Sequence, residues 1–267
     1  PEPIYIAPQV WEMVRREHRE HMAGALDDLC EEITTLVPDT VKVRGVLARG
    51  ETATGILDVA TETAASVIII GSEGASATTR LFFGSVAEKV AHRARCPVLV
   101  TRTKQSDLSL PEAPLRRILV AVDHSPLSLA AAKVARKLVP PDGRLDFVFV
   151  WQAPFLSAME HSAAGKKREV MELVESYRHA EVDRLTALIA EHDLGLGDDR
   201  TTSHIEVGSP ARGICRRAED IDASLVVVGA HARQSFTERI LGGTADRVLR
   251  NCPAPVLMVP EPPPAAT

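Results

Sequence analysis

The sequence predicts an α/β protein made of two doubly wound parallel-sheet repeats in one chain. Three observations carry that prediction. Short apolar, β-branched runs such as Val67–Ile70, Ile118–Val122 and Leu225–Val228 alternate with segments of helical period. Landmark residues recur at one spacing: Gly50 and Gly208, Gly71 and Gly229, Gly84 and Gly242, and Pro97 and Pro255 each differ by 158 (229 − 71 = 158). That offset sets Gly50–Leu99 over Gly208–Leu257 without a gap, and fifteen of the fifty positions are identical, more than coincidence supplies.

Taken in order, residues 1–8 are proline-rich and read as a connection. Gln9–Leu36 places Val10, Met13, Val14, Met22, Leu26, Leu29, Cys30 and Ile33 at helical spacing and predicts one long amphipathic helix. Val41–Leu47 alternates and predicts a strand ending at Gly50, and Thr54–Ala64 predicts a helix. Val67–Ile70 predicts a strand buried on both faces. A polar loop then runs to Arg80, a helix starts at Gly84-Ser85, and Pro97–Val100 predicts another strand. Lys104–Pro114 has the composition of a linker.

After it, Ile118–Val122 predicts a strand, and Ser125-Pro126 starts a helix over Leu127–Leu138. Leu145–Trp151 predicts a strand, Gly165–His192 a long amphipathic helix, Thr201–Val207 a strand and Pro210–Ala218 a helix. Leu225–Val228, Thr244–Arg250 and Pro255–Val259 complete the series as strand, helix and strand, before a loose tail. The expected division is a first repeat at 1–103, a linker at 104–114, a second repeat at 115–260 and a tail at 261–267. The second repeat has the βαβαβαβαβ order of a flavodoxin-like sheet, 2-1-3-4-5 or its 3-2-1-4-5 relative. Carried back from Arg117–Asp123, the offset gives positions before Pro1. The first repeat as written therefore lacks its first strand, first helix and second strand, and roughly 40 further residues are expected upstream.

Composition excludes several function classes. A length of 267 residues suffices for two domains with proper cores, and 45% hydrophobic with 25% charged residues is ordinary for a globular protein. A net charge of −5 without a basic stripe argues against a nucleic-acid partner. No run reaches the roughly 18 apolar residues of a membrane helix, and no signal-peptide pattern appears. Cys30, Cys96, Cys215 and Cys252 form no CxxC pair, so reduced thiols are expected rather than a disulfide frame or zinc site. The expected location is cytoplasmic, with no membrane contact.

One stretch carries chemistry. After the Val67–Ile70 strand comes Gly71-x2-Gly74-x9-Gly84-Ser85, leading into a helix through Val86. Glycines let backbone N–H groups approach anionic oxygens, and a helix N-terminus adds its positive end. A turn followed by an ordinary helix cap would use the same residues. The second copy keeps Gly229 and Gly242, but Ala232 stands for the second glycine, Gly243 stands where Ser or Thr belongs, and Thr244 follows one place late. Asp123 ends a strand, where a doubly wound sheet places ligands, and it also suits a helix cap before Ser125-Pro126. His18 and His21, three apart on a helix, lack a third ligand. No Ser/His/Asp or Cys/His grouping is marked by a motif.

The glycine spacing resembles the G-2x-G-9x-G(S/T) signature of the universal stress proteins, and with the repeat the resemblance covers nearly the whole chain. It implies an adenine-nucleotide-hydrolase-like fold, two repeats packed as an internal pseudo-dimer, and dimer pairing through the last strands, here Pro97–Thr101 with Pro255–Val259. It also implies an adenine nucleotide (ATP, ADP or AMP, with Mg as a companion ion) wrapped by Gly71, Gly74, Gly84, Ser85 and Val86 in the first repeat, the better-preserved loop. In the second repeat the corresponding residues are Gly229, His231, Gly242, Gly243 and Thr244. His231 matches the family's GxHG histidine, and by itself reads as a solvated loop residue. Asp123 matches the residue that contacts the nucleoside, with Val122 and Val150 beside the adenine. Gly208-Ser209-Pro210 matches a structural GxP turn.

The resulting expectation is a regulatory, stress-response protein that is not an enzyme beyond slow ATP hydrolysis, since no base or arginine finger is identifiable. A homodimer and a regulatory protein partner are compatible with it. The rival expectations are a nucleotide-independent scaffold and an adenylate-cleaving enzyme.

Overall fold

The computed structural model describes residues 8–72, 83–102, 115–152, 167–230, 232–235, 238–241 and 243–261. It divides into two units, Pro1–Ile56 and Leu57–Thr267.

The first unit is dominated by helix α1 (Pro8–Leu36). The predicted period is present, yet Met13, Val14, Met22, Leu29, Ile33 and Leu36 along it are exposed. The segment after α1 lies back on it: a Cβ added at Gly45 would sit 2.8 Å from Leu26 Cγ and 3.1 Å from Cys30 Sγ. The expected strand over Val41–Leu47 does not form, and Val41, Val46 and Leu47 are exposed. The physical reason is the absence of a ladder partner among the described residues. A strand needs a neighbour for its N–H and C=O groups, and an alternating pattern alone does not supply one. Helix α2 (Thr52–Glu62) follows, and the Glu51 carboxylate accepts from the Thr54 N–H at 2.9 Å.

The second unit is built on one seven-stranded sheet. Its strands are β1 (Ile68–Gly71), β2 (Val98–Thr101), β3 (Arg117–Val122), β4 (Arg144–Trp151), β5 (Thr201–Val207), β6 (Leu225–Ala230) and β9 (Val256–Pro260), in the order β1-β2-β9-β6-β3-β4-β5. Separately, β7 (Ala232–Ser235) pairs antiparallel with β8 (Glu238–Leu241). The helices are α3 (Ser85–Arg93), α4 (Pro126–Leu138), α5 (Lys167–Glu191), α6 (Pro210–Asp220) and α7 (Gly243–Asn251). Within the second repeat every neighbouring pair in the main sheet is parallel, and the order β9-β6-β3-β4-β5 is the 3-2-1-4-5 arrangement.

Alternate residues divide the core between two faces, as the period of two requires. Ile118, Val120, Leu145, Phe147, Leu225 and Val227 pack with Ala131, Ala135, Leu185 and Ile189 of α4 and α5. Residues one place along the strands, such as Leu119, Val148 and Val226, are buried too, and α6 and α7 pack on the strands from their own side.

The repeat is visible in the backbone. Gly50 and Gly208 have φ of +96° and +127°, and Ala64 and Asp222 have φ of 49° and 51°. Ala65 N–H to Ala60 O and Ala223 N–H to Ala218 O are both 2.8 Å, as the 158-residue offset requires. The repeats meet where β2 runs antiparallel to β9, with Val98, Leu99 and Val100 opposite Met258, Leu257 and Val256. Leu99 thus faces its own repeat equivalent, the signature of a two-fold contact.

Glu88 and His92 on α3 correspond to Asp246 and Arg250 on α7, and they bond crosswise. Arg250 reaches the Glu88 carboxylate at 2.5 Å, and His92 Nε2 lies 3.3 Å from Asp246 Oδ1. The predicted last-strand pairing is therefore present. Burial of the Val67–Ile70 strand on both faces is not: β1 is the sheet's edge, Val67 is exposed, and Ile69 is 65% exposed.

Candidate functional site

Asp123 follows β3, and its loop is organised by local chemistry. Ser125 caps α4, accepting from the Ser128 N–H at 3.1 Å, with Pro126 at the first helical position. Asp123 Oδ1 accepts from the Ser125 N–H at 3.1 Å, and the Asp123 N–H donates to Ser128 Oγ at 3.3 Å. Asp123 is exposed. The ligand-site and helix-start readings of Asp123 are thus compatible in one conformation.

A cavity of about 140 Å³ opens beside it, lined by Val122, Asp123, Val148, Val150, Gly229 and Thr244 among others. It lies at the carboxyl ends of β3, β4 and β6. The chain runs outward from β3 through β4 to β5 and then returns to β6 on the other side, so this is the sheet's switch point. Val150 forms part of the wall and packs on α6, 3.0 Å from where a Gly213 Cβ would stand. Val122 touches the cavity, while its side chain belongs to the core beneath α4 and α5.

Gly229 has a packing role that spacing alone does not reveal. A Cβ there would lie 2.8 Å from Leu127 Cγ and 3.2 Å from the Leu127 carbonyl, so the glycine admits the first turn of α4. Gly243 opens α7 with nothing within 4 Å of its added Cβ, and Thr244 faces the cavity. Ala232 begins the β7 ladder, opposite Leu241. His231 and Gly242 lie outside the described residues.

In the first repeat, Gly71 ends β1 and Gly84 precedes α3. The Gly84 N–H donates to the Ser72 carbonyl at 2.8 Å, and an added Cβ at Gly84 would come within 3.2 Å of that oxygen. Ser85 is exposed in the first turn of α3 and is followed by half-buried Val86. Gly74 lies outside the described residues. Among the described residues no strand covers the outer edge of β1, so this end of the first repeat has no described counterpart of Asp123 beside it.

Tertiary contacts add groups that sequence spacing could not. His124 adopts φ of 61°, and its Nε2 meets Glu181 Oε1 on α5. Asp146 is buried in the sheet and bonds His204 at 2.8 Å and Arg117 at 2.9 Å. Burial alone would push the Asp146 carboxyl up, but those two partners outweigh it and hold it below the ordinary value. Glu206, gripped by Arg217 and Arg216, follows the same pattern. The Cys215 thiol is pushed up by its hydrogen bond to Cys252 and by burial, and all four cysteines are free.

Glu88, His92 and Asp246 bring three ligand-type atoms within 4.8 Å of one another. Arg250 bonds both carboxylates, however, and takes the place of a cation. His18 and His21 are exposed and join no such group among the described residues. A larger cleft of about 710 Å³, lined by Leu57, Ala64, Ile68, Arg93 and Cys96, lies at the amino ends of β1 and β2. That is the opposite end of the sheet from where doubly wound folds take ligands. No helix among the described residues is long and apolar enough to cross a membrane.

Comparison with known proteins agrees with this fold. The model of the universal stress protein family matches residues 5–102 and again 114–260. A universal stress protein of Mycobacterium tuberculosis is 28% identical over 198 residues, covering 73% of this chain and 61% of the relative. The chain therefore spans less than two thirds of that relative's length. One of Methanocaldococcus jannaschii is 34% identical over 151 residues, covering 55% of this chain and 83% of its own. Among solved structures, a universal stress protein from Archaeoglobus fulgidus superposes with a TM-score of 0.64 at 24% identity, covering 97% of this chain and 84% of that one.

Proposed function

Because the chain belongs to the universal stress protein family, we propose that it is a stress-response protein that binds an adenine nucleotide as a regulatory ligand. The observation that carries the proposal is the cavity at the switch point of the second repeat, with Asp123 at its mouth and Val150 in its wall. An apolar slot beside one carboxylate suits a nucleoside: the base stacks against the valines and the ribose hydroxyls donate to Asp123. At about 140 Å³ the cavity is smaller than the ~300 Å³ of typical small-molecule sites, so it accepts one end of the ligand and leaves the phosphates outside. They run toward Gly243 and Thr244, where the first N–H groups of α7 attract anions.

In the first repeat, Gly71, Gly84 and Ser85 form a phosphate end of the same layout, with Gly74 as the remaining glycine of the motif. Magnesium accompanies the phosphates. The ligand is held rather than turned over, and hydrolysis is slow at most. The cytoplasm is the proposed location, and a homodimer the proposed assembly beyond the internal pseudo-dimer.

A second reading is favoured by one observation. Ala232–Ser235 pairs antiparallel with Glu238–Leu241 where the motif calls for a glycine loop, which suits a scaffold that works through protein partners without nucleotide. Isothermal titration of the chain with ATP separates the two, beside Asp123→Ala and Gly84→Asp. Binding lost in Asp123→Ala supports the second-repeat site; binding lost only in Gly84→Asp moves it to the first repeat. No heat with ATP, ADP or AMP favours the scaffold. Steady release of ADP or AMP at enzymatic rates would overturn the regulatory reading.

A further inference from the structure

The groove between α6 and α7 holds two thiols in contact. Cys215 lies on α6, Cys252 directly follows α7, and the two helices pack against each other. The Cys215 and Cys252 side chains share a hydrogen bond. Cys252 is fully buried, its N–H donating to the Val248 carbonyl at 2.8 Å, whereas Cys215 is half-buried. Cys215 lines a cleft of about 450 Å³ together with Arg212, Arg216, Arg247, Asn251 and Pro253, the last two flanking Cys252 in the chain. Those three arginines face one acid in the cleft, Glu219. Reactive cysteines sit in partly exposed, electropositive surroundings of this type.

The repeat itself does not call for sulfur at these positions. The 158-residue offset sets Leu57 and Ala94 in their places, so the first repeat carries an ordinary apolar couple where the second carries two thiols. The surroundings also favour ionisation of the pair. The hydrogen bond from Cys215 draws the Cys252 thiol down, helped by the Ala254 N–H and the Arg102 charge, against burial and Glu219. Arg102 is pinned nearby by donating to the Leu249 and Arg250 carbonyls at 2.8 and 2.6 Å. The Cys215 thiol is pushed up by the same hydrogen bond and by burial, so the pair keeps its second proton between the two sulfurs.

We propose that Cys215 and Cys252 are a peroxide-oxidised dithiol: a hydroperoxide entering the cleft oxidises Cys215, and Cys252 resolves it as an intramolecular disulfide. The proposal needs no nucleotide and is independent of the reading given above. The shared proton moves to Cys252 and leaves Cys215, the sulfur at the cleft, as thiolate. That sulfur attacks one peroxide oxygen; an S–O bond forms, the O–O bond breaks, and the departing alkoxide takes a proton from water. Cys215 is then a sulfenic acid, oxidised by two electrons. Cys252 gives up the shared proton and its sulfur attacks that of Cys215. The S–S bond forms, the S–O bond breaks, and hydroxide leaves with that proton as water. Two thiols and one hydroperoxide thus give one disulfide, one alcohol and one water. Ile214 on α6 and Thr244 on α7 line the cavity beside Asp123, so the bridge ties two helices that wall it.

The test is a thiol map of the whole chain. Reduced protein is treated with hydrogen peroxide, quenched with catalase, unfolded in N-ethylmaleimide and digested with trypsin. Cleavage after lysine and arginine places the two cysteines on Gly213–Arg216 and Asn251–Thr267. The expected product is these two peptides joined, lighter by two hydrogens than the free pair, and separated again by dithiothreitol. Cys30 and Cys96 are internal references, and the pair should be consumed about tenfold faster than either. Cys252→Ser should leave Cys215 as a sulfenic acid that dimedone captures, and Cys215→Ser should leave Cys252 unoxidised. The wild-type map stands whether or not either variant folds.

A pair that stays alkylated, or that oxidises no faster than Cys30 and Cys96, overturns the proposal. Cys215 driven to sulfinic acid with Cys252 still alkylated removes Cys252 as its partner and overturns it too. Disulfide-linked dimers through either cysteine, seen on a non-reducing gel, overturn the intramolecular bridge. Dimedone captured by Cys252 in Cys215→Ser overturns the assignment of Cys215 as the sulfur that meets the peroxide.

Discussion

Replacing Gly229 with alanine tests whether a motif glycine serves the ligand or the fold. The added Cβ would stand 2.8 Å from Leu127 Cγ, 3.2 Å from the Leu127 carbonyl oxygen and 3.3 Å from its carbon. The side-chain contact could be relieved by rotation, but two of the three are to backbone in the first turn of α4. Leu127 is itself buried at 5% exposure, so it has little room to retreat. Overpacking of this kind costs about 1–3 kcal/mol, a fall in melting temperature of roughly 2–12 °C for a chain of this size. Gly243→Ala is the internal control: nothing lies within 4 Å of its new Cβ, and alanine suits a first helical turn. Thermal unfolding of both variants by circular dichroism should lower the Gly229→Ala midpoint and leave Gly243→Ala level with the wild type or slightly above it. Equal midpoints for Gly229→Ala and wild type would refute the packing argument. ATP titration of the same variants then separates ligand effects from stability effects.

Three further outcomes are expected. Ser125→Ala removes the oxygen that accepts from Ser128 and should cost about 1 kcal/mol by urea titration, with α4 fraying at its start. Asp146 and Glu206 have folded pKa values below their ordinary 3.8 and 4.5, so the unfolded chain binds more protons in that range. Their stabilisation is complete above about pH 5 and is lost as pH falls through the folded values, so the urea midpoint should drop on acidification. A midpoint that holds steady down to pH 2 would contradict that sign. Arg250→Ala breaks the half-exposed bond to Glu88 and should cost about 0.5–1 kcal/mol, with a double-mutant cycle against Glu88→Ala returning the pair's share.

What the sequence disclosed was whatever depended on neighbours in the chain. Ser125-Pro126 marked the start of α4, and β-branched runs marked β3 and β6. The 158-residue offset exposed the repeat and, with the family resemblance, the β2–β9 pairing. Val41–Leu47 was misread because alternation reports a face to bury and says nothing about a partner strand. The β7–β8 pairing was missed because the sequence between Ser235 and Glu238 offers no Asn-Gly or Gly-x pair to mark it.

The candidate site divides along the same line. Asp123 and Val150 were legible as strand-end residues matching a motif. Glu181 was not, since it lies 57 residues from His124 on a helix whose acidic residues all look like a solvated face. Asp146 in β4 likewise gave no sign that Arg117 and His204 would close over it. The Gly229 motif position was seen, but Leu127, the residue it makes room for, was not.

The two-fold junction at Leu99 and Leu257 also determines how the protein responds to dilution. In a dimer of separate single repeats, this β-edge pairing would be a second-order event, and apparent stability would fall with protein concentration. Here the same chain carries both edges, so each meets the other at an effective concentration fixed by the connection between them. Cutting the chain between β2 and β3 would turn one folding unit into a titratable complex, with no contact of the junction itself removed. Melting temperature would then depend on how much protein is in the tube.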